Sequence, residues 1–116
     1  MTTAFSAILE TLIRQRGVRA SLIVSEHDGL VVDESLRFGQ ESERVAALAA
    51  SMYRKARLSA RAARLGAVSF LQLDAEYGRI CAAGGRGDLV IVVVADTTAN
   101  VGLIRIELLK ALESLE

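Results

Sequence analysis

The 116-residue sequence contains no proline and no tryptophan, and it has a single cysteine and a single histidine. One cysteine excludes a disulfide scaffold, and four-ligand zinc spacing such as C-x-x-C is missing. The longest apolar run, residues 89–95, has the length of a strand, whereas a helix that spans a bilayer needs about 20 apolar residues. We therefore expect no metal site and no membrane insertion.

Charge and composition narrow the class of protein further. Fourteen basic and fourteen acidic side chains give zero net charge, which argues against nucleic-acid binding driven by overall basicity. An apolar content of 52% excludes disorder and fits one domain over residues 1–116. The first residues lack the basic and apolar regions of a signal peptide, so we expect a cytoplasmic protein. A mean hydropathy of +0.35 is high for a small domain and favours an oligomer interface; an alanine-rich helix is the alternative.

Hydrophobic periodicity and glycine turns predict the element order α-β-β-α-β-β-β-α. The first helix follows a Thr2 or Thr3 cap and ends at Gly17. A hairpin turn at Asp28-Gly29 follows the first strand. The predicted strands cover residues 18–25, 30–34, 68–75, 79–83 and 89–95. The other two helices cover residues 41–65, ended by Gly66, and 99–115, for which Asp96, Thr97 and Thr98 offer caps.

The strand at residues 89–95 does not alternate between apolar and polar residues. Such a continuous β-branched run is typical of a strand that is covered on both faces. Because hairpins dominate the predicted connections, the sheet is expected to be mostly antiparallel. The sequence therefore predicts an α+β fold with a central sheet and helices on both faces.

Catalytic motifs are missing. The glycine-rich turn 84–87 lacks the lysine and the following helix of a phosphate-binding loop, and it is interpreted as a hairpin. Ser25, His27 and Asp28 lie too close together along one strand and turn to converge as a catalytic triad does. His27 is expected to be solvated there.

The remaining reactive side chains have structural explanations. Cys81 lies in the middle of a strand and is expected to be a small buried residue. Asp74 and Glu76 flank a turn and are expected to be solvated. We predict no catalytic residue, no cofactor and no enzymatic activity of the protein's own.

The second helix is the most informative element. At 100° per residue, one apolar arc should face the sheet: Val45, Leu48, Ala49, Met52, Ala56, Ala60 and Ala63. Arg54, Arg57, Arg61 and Arg64 form a stripe on roughly the opposite side. Ala46, Ala47 and Ala50 extend a small apolar surface that can accept another helix closely.

Acidic side chains begin this helix and basic ones fill its second half, an arrangement that stabilises any helix through its dipole. Two further interpretations stay open. An antiparallel copy of the helix would place Glu43 of one chain near Arg61 of the other, or the arginines could face an acidic partner protein.

Several segments resemble Roadblock/dynein-light-chain domains, in order and over nearly the whole chain. They are Gly17-Val18, Leu22-Ile23-Val24-Ser25, Asp28-Gly29-Leu30-Val31-Val32, Ala46-Ala47-Leu48-Ala49-Ala50, Ala95-Asp96, and Ala99 through Leu108. The resemblance implies a five-stranded antiparallel, profilin-like sheet in the order 2-1-5-4-3, with one helix on one face and two on the other.

The resemblance also implies a function. Members of this family typically form homodimers through the third strand and second helix, and prokaryotic members are commonly partners of small Ras-like GTPases. Some accelerate GTP hydrolysis without donating a catalytic arginine. Longer gliding-polarity members carry C-terminal extensions, so an activity that needs such an extension is not expected of a chain that stops at Glu116.

We therefore predict a homodimeric regulator or scaffold that binds a small Ras-like GTPase, and the sequence leaves open whether it modulates GTP hydrolysis. A structural adaptor without a GTPase and a small-ligand sensor are the alternatives. The predicted dimer interface comprises Ala46, Ala47, Ala50, Tyr53, Ser69, Leu71 and Leu73. The predicted partner-binding residues are Arg54, Arg57, Arg61 and Arg64.

Overall fold

A computed structural model describes residues 4–37, 41–84 and 87–115, and within them the helices and strands follow the predicted order. They are α1 (Ala4–Ile13), β1 (Val18–Ser25), β2 (Val31–Leu36), α2 (Ser42–Ala62), β3 (Leu71–Ala75), β4 (Gly78–Gly84), β5 (Leu89–Asp96) and α3 (Val101–Ser114). The predicted Thr2 or Thr3 cap and part of the predicted 84–87 turn lie outside the described residues. No helix in the described ranges is long and apolar enough to cross a membrane.

The five strands form one antiparallel sheet in the order β2-β1-β5-β4-β3, which confirms the predicted topology. The apolar strand β5 is central and pairs with β1 on one side and β4 on the other. Its residues 90–93 are fully buried, because both faces of the sheet are covered by helices.

Two separate cores hold the helices to the sheet. On one face, α1 and α3 bury leucine and isoleucine side chains such as Leu9, Ile104 and Leu108 against β1, β4 and β5. On the other face, α2 lies alone, and mostly small side chains pack against Leu22 and Val92. The arrangement of one helix on one face and two on the other agrees with the expectation from the resemblance.

Several element boundaries differ from the predicted ones, and local hydrogen bonds explain the difference at three of them. Helix α2 ends before the predicted Leu65, since Arg64 adopts a left-handed conformation with φ of 59°. Strand β3 starts at Leu71 rather than 68, where pairing with β4 begins at Ala82. Helix α3 starts at Val101, because the Asn100 side chain, and not the predicted Asp96, Thr97 or Thr98, accepts a hydrogen bond from the first turn.

One end of the sheet is not covered by α2. Cross-strand pairs align Leu36, Ala20, Val94, Ile80 and Leu73 in one row across all five strands. This row lies on the α2 face, but Ile80 is its only member packed against the core beneath that helix. A groove of about 480 Å³ opens at its β3–β4 end. The sheet therefore presents an apolar groove next to an edge strand.

Candidate functional site

The face that helix α2 turns to the sheet overlaps the predicted arc, because Ala49 is buried and Val45 packs against the core beneath the helix. Its buried residues are Ala46, Ala49, Ala50 and Tyr53, whereas Leu48, which was predicted to face the sheet, is 65% exposed. The helix buries its smallest side chains because they allow close approach to the sheet, and this leaves Leu48 to solvent. Ala46, Ala50 and Tyr53, which are predicted to contact a second copy of the chain, are instead buried against the sheet in the single chain. Of the three alanines predicted at the dimer interface, only Ala47 is exposed.

A buried carboxylate fixes the rotation of α2. Glu26, in the turn after β1, is only 9% exposed, and its Oε1 accepts hydrogen bonds from both Nε and Nη2 of Arg57. The Nε bond is 3.0 Å long. These bonds to Glu26 also raise the pKa of the Arg57 guanidinium. One turn earlier on α2, Arg54 Nη1 donates to the carbonyl oxygen of Glu26 over 3.2 Å.

These contacts correct the predicted arginine stripe. Arg54 and Arg57 do not point away from the sheet; they tie α2 to the β1–β2 turn of the same chain. Arg61 and Arg64, nearer the C-terminal end, are exposed. Neither guanidinium lies within 4.0 Å of a carboxylate in the described part of the chain. Of the four predicted partner-binding arginines, only Arg61 and Arg64 are therefore not used to hold α2 against the β1–β2 turn.

The turn that carries Glu26 is itself braced by Asp88. The Asp88 carboxylate accepts hydrogen bonds from the Ser25 hydroxyl over 2.6 Å and from the His27 N–H over 3.0 Å, and the Asp88 carbonyl oxygen accepts from the Glu26 N–H over 2.7 Å. His27 is exposed, as predicted. The turn is thus a rigid support for Arg54 and Arg57.

Tyr53 joins α2 to the end of β4. Its hydroxyl accepts a hydrogen bond from the Gly84 N–H over 2.9 Å and donates one to the Val68 carbonyl oxygen over 3.3 Å. Burial raises the pKa of this hydroxyl, so it stays protonated and keeps both bonds. Tyr53 also forms the inner wall of a cleft of about 560 Å³ that extends along the C-terminal half of α2.

The predicted interface residues near β3 lie at the sheet edge. Ser69 is exposed and precedes the paired part of the strand. Leu71 is partly buried against the core under α2, whereas Leu73 is 40% exposed beside the apolar groove. β3 pairs with β4 on one side and has no strand on the other within the described residues. This edge therefore has unused backbone hydrogen-bonding groups and one apolar side chain beside it.

No arrangement suited to catalysis is found among the described residues. Cys81 is fully buried, and burial raises the pKa of its thiol to about 11, so it is not a nucleophile at neutral pH. Asp74 and Glu76 are exposed, and Asp74 accepts hydrogen bonds from Gln72. The described ranges contain no group of three or more His, Cys, Asp or Glu residues that could hold a metal ion.

Sequence reasoning missed Glu26 and Asp88 as determinants of this site. In the sequence, Glu26 is only one of the polar residues beside the predicted Asp28-Gly29 hairpin turn, and hairpin turns are commonly polar. Its partner Arg57 lies 31 positions away in sequence, and no local pattern connects the two. The apolar strand just before Glu26 is consistent with a carboxylate at the edge of the core, but it does not indicate which cation balances the charge.

Comparison with known proteins agrees with this architecture. The family model described as Roadblock/LC7 domain matches residues 5–95. An uncharacterised protein of Methanocaldococcus jannaschii, MJ1340, is 28% identical over 109 residues, which cover 94% of both chains. The solved Roadblock/LC7 domain from Streptomyces avermitilis has a TM-score of 0.84 at 19% identity, covering 94% of this chain and 92% of that one. Myxococcus xanthus MglB has a TM-score of 0.86 at 17% identity, covering 97% and 92%.

Proposed function

The chain belongs to the Roadblock/LC7 domain family, and we propose that it is a homodimeric regulator or scaffold that binds a small Ras-like GTPase. The observation that carries this proposal is an exposed basic helix end, at Arg61 and Arg64, combined with an unpaired apolar strand edge at β3. The protein offers surfaces and no catalytic groups among its described residues, so any effect on GTP hydrolysis would act through the GTPase's own residues.

The proposed dimer joins the β3 edges of two copies. A two-fold axis at this edge pairs β3 with its own copy, which satisfies backbone groups and covers Leu73 in both chains at once. The outer surface of α2 supports the same arrangement, because Leu48 and Leu58 are both more than half exposed. The dimer interface predicted from the sequence is therefore revised. Ala47, Ser69 and Leu73 remain proposed contacts, whereas Leu71 lies behind them.

Replacing Leu73 by lysine is expected to break the dimer. The side chain is 40% exposed in the single chain, so a lysine is tolerated there, but in the interface its charge would be buried without a partner. We expect dimer affinity to fall by about 100-fold, which corresponds to about 2.7 kcal/mol. Sedimentation velocity over a dilution series around about 10 µM, within the range of typical affinities, should show that Leu73→Lys dissociates at a concentration about 100-fold higher than the wild type does.

The matched control is Leu36→Lys, at a leucine that is 38% exposed on β2, the opposite edge strand of the sheet. It makes the same chemical change away from β3 and should leave the dimer intact. A monomeric wild-type protein, or a Leu73→Lys variant that dimerises as well as the wild type, would contradict the proposed interface.

Charge distribution supports an acidic protein partner. No aspartate or glutamate occurs between Glu43 and Asp74, whereas this stretch contains Arg44, Arg54, Lys55, Arg57, Arg61 and Arg64. The net charge of the chain is zero, so the basic charge is local, and a local positive field speeds the encounter with an acidic surface.

The direct test uses purified Ras-like GTPases encoded in the same genome, each loaded with GDP or with a non-hydrolysable GTP analogue. Calorimetry is expected to show one GTPase that binds at micromolar affinity and prefers one nucleotide state. The affinity should fall as salt rises, because exposed charges are screened. If none of these GTPases binds in either state at about 100 µM, the proposal fails and the adaptor alternative takes its place.

A further inference from the structure

A cleft lies between the C-terminal half of α2 and the segment that follows it. Its volume is about 560 Å³. The lining side chains that matter here are Tyr53, Arg57, Arg61, Arg64 and Val68, with Gly84 at the inner end. The cleft thus combines three guanidinium groups with a small apolar wall.

The cleft carries excess positive charge. Glu26 is the one carboxylate that meets these arginines in the described part of the chain, and it contacts Arg57 only. Arg61 and Arg64 have no carboxylate within 4.0 Å among the described residues. The lining therefore has a net charge of about two positive units that lack a counter-charge, which favours an anionic occupant.

Arg64 occupies a backbone position that glycine would fill with less strain. Its φ is 59°, and it is the only residue other than glycine with a positive φ in the described ranges. The Arg64 N–H donates to the Arg61 carbonyl oxygen over 3.0 Å, and the Leu65 N–H donates to the Ala60 carbonyl oxygen over 2.8 Å. This is the helix-ending pattern in which the left-handed residue is usually glycine. A strained arginine that lines a cleft indicates a use for its side chain.

The spacing of the arginines matches an extended chain. Arg57 and Arg61 both lie within α2, and a rise of about 1.5 Å per residue places them about 6 Å apart along the helix axis. Alternate side chains on one face of an extended strand are about 6.6 Å apart. Carboxylates at alternate positions of a strand therefore come within reach of successive guanidinium groups, whereas adjacent carboxylates point to opposite sides.

We propose that this cleft binds an extended acidic segment of a protein partner, in which aspartate or glutamate occupies alternate positions. The inference rests on the proposed function, because it specifies which part of the partner's acidic surface is recognised. Arg61 and Arg64 contact the carboxylates, since guanidinium forks bind such groups bidentately. Arg57 lies at the inner end, and Val68 contacts an apolar side chain between two acids.

Two peptides of equal composition test the pattern. Each is a seven-residue peptide of three glutamates and four alanines with blocked ends, and the glutamates are either alternating or adjacent. Calorimetry in low salt is expected to show that the full-length protein binds the alternating peptide about fivefold or more tightly than the adjacent one. Equal affinities would overturn the proposal.

Variants test the cleft itself. Arg61→Gln and Arg64→Gly are each expected to weaken binding of the alternating peptide about tenfold, the loss of one charge-assisted contact. Arg44→Gln is the matched control, because Arg44 is an exposed arginine of the same helix that pairs with Glu41 instead. The control should bind as the wild type does. Unchanged binding in both cleft variants would overturn the proposal.

Arg64→Gly has a second readout that separates binding from folding. Because glycine adopts positive φ freely, this variant is expected to melt at a higher temperature than the wild type while it binds more weakly. If the role of Arg64 were purely structural, its replacement would lower the stability of the protein.

Competition shows which anion the cleft takes. Inorganic phosphate at the same concentration as the peptide is expected not to displace it, and full displacement would mean a small-oxyanion site instead.

The outcome of the peptide experiments is independent of the GTPase test. Peptide binding without GTPase binding would leave the cleft assignment standing, and GTPase binding unaffected by Arg61→Gln and Arg64→Gly would place the partner elsewhere.

Discussion

Replacing Gly84 by alanine is expected to lower the free energy of unfolding by about 2–3 kcal/mol, although it adds only one methyl group. The new Cβ would lie 2.5 Å from Tyr53 Oη and 2.8 Å from the ring atoms Cε1 and Cζ. Tyr53 is 3% exposed, and its hydroxyl bonds both Gly84 and Val68, so the ring cannot move without losing these bonds. Urea denaturation followed by circular dichroism measures the loss.

The control for this prediction shortens the tyrosine. In a Tyr53→Leu background the atoms that would clash are absent, so the added cost of Gly84→Ala should fall below about 1 kcal/mol. The backbone at Gly84 is not left-handed, and alanine therefore carries no conformational penalty there. An equal cost in both backgrounds would mean that something other than the contact with Tyr53 keeps this position small.

Local patterns predict the antiparallel pairing and the covered position of β5, whereas the full strand order is implied only by the resemblance to Roadblock/dynein-light-chain domains. The continuous β-branched run of β5 requires cover on both faces, and the turn at Asp28-Gly29 makes β1 and β2 a hairpin. Both features are short-range and strong. The central position of β5 and the antiparallel pairing are confirmed by the structure.

Periodicity predicts only part of the sheet-facing side of α2, because small and large apolar residues occur around much of the helix. Hydropathy favours burial of the larger Leu48 over that of the small Ala46 and Ala50. What decides the rotation lies far away in sequence: the Glu26 carboxylate binds Arg57, and the Tyr53 hydroxyl reaches the end of β4 at Gly84. A single sequence does not indicate such pairs.

The same limit applies to the arginines. Their spacing predicts one stripe along α2, but spacing does not distinguish an arginine that binds its own chain from one that is free. Arg54 and Arg57 meet the β1–β2 turn because α2 passes over it, whereas Arg61 and Arg64 lie beyond the turn's reach. The candidate site is therefore the end of the predicted stripe and not the whole of it.

Replacing Leu108 by alanine is expected to cost about 3–4 kcal/mol of unfolding free energy, the largest effect of any substitution considered for this chain. Leu108 is fully buried between α3 and the sheet, so the variant loses both the transfer free energy of the side chain and the contacts around the cavity it leaves. Leu103→Ala, in the same helix, is the matched control. Leu103 is 50% exposed, and the expected cost is below about 1 kcal/mol.

The comparison also tests whether α3 is a free surface. Leu103 and Ile106 are both about half exposed on this helix. If solvent covers them, Leu103→Ala lowers the free energy of unfolding only slightly, and the loss does not depend on protein concentration. If Leu103→Ala instead costs as much as Leu108→Ala, and the cost grows with protein concentration, then another copy of the chain covers α3. That result would move the dimer interface from the β3 edge to the opposite face of the sheet, because α2 and α3 lie on different faces.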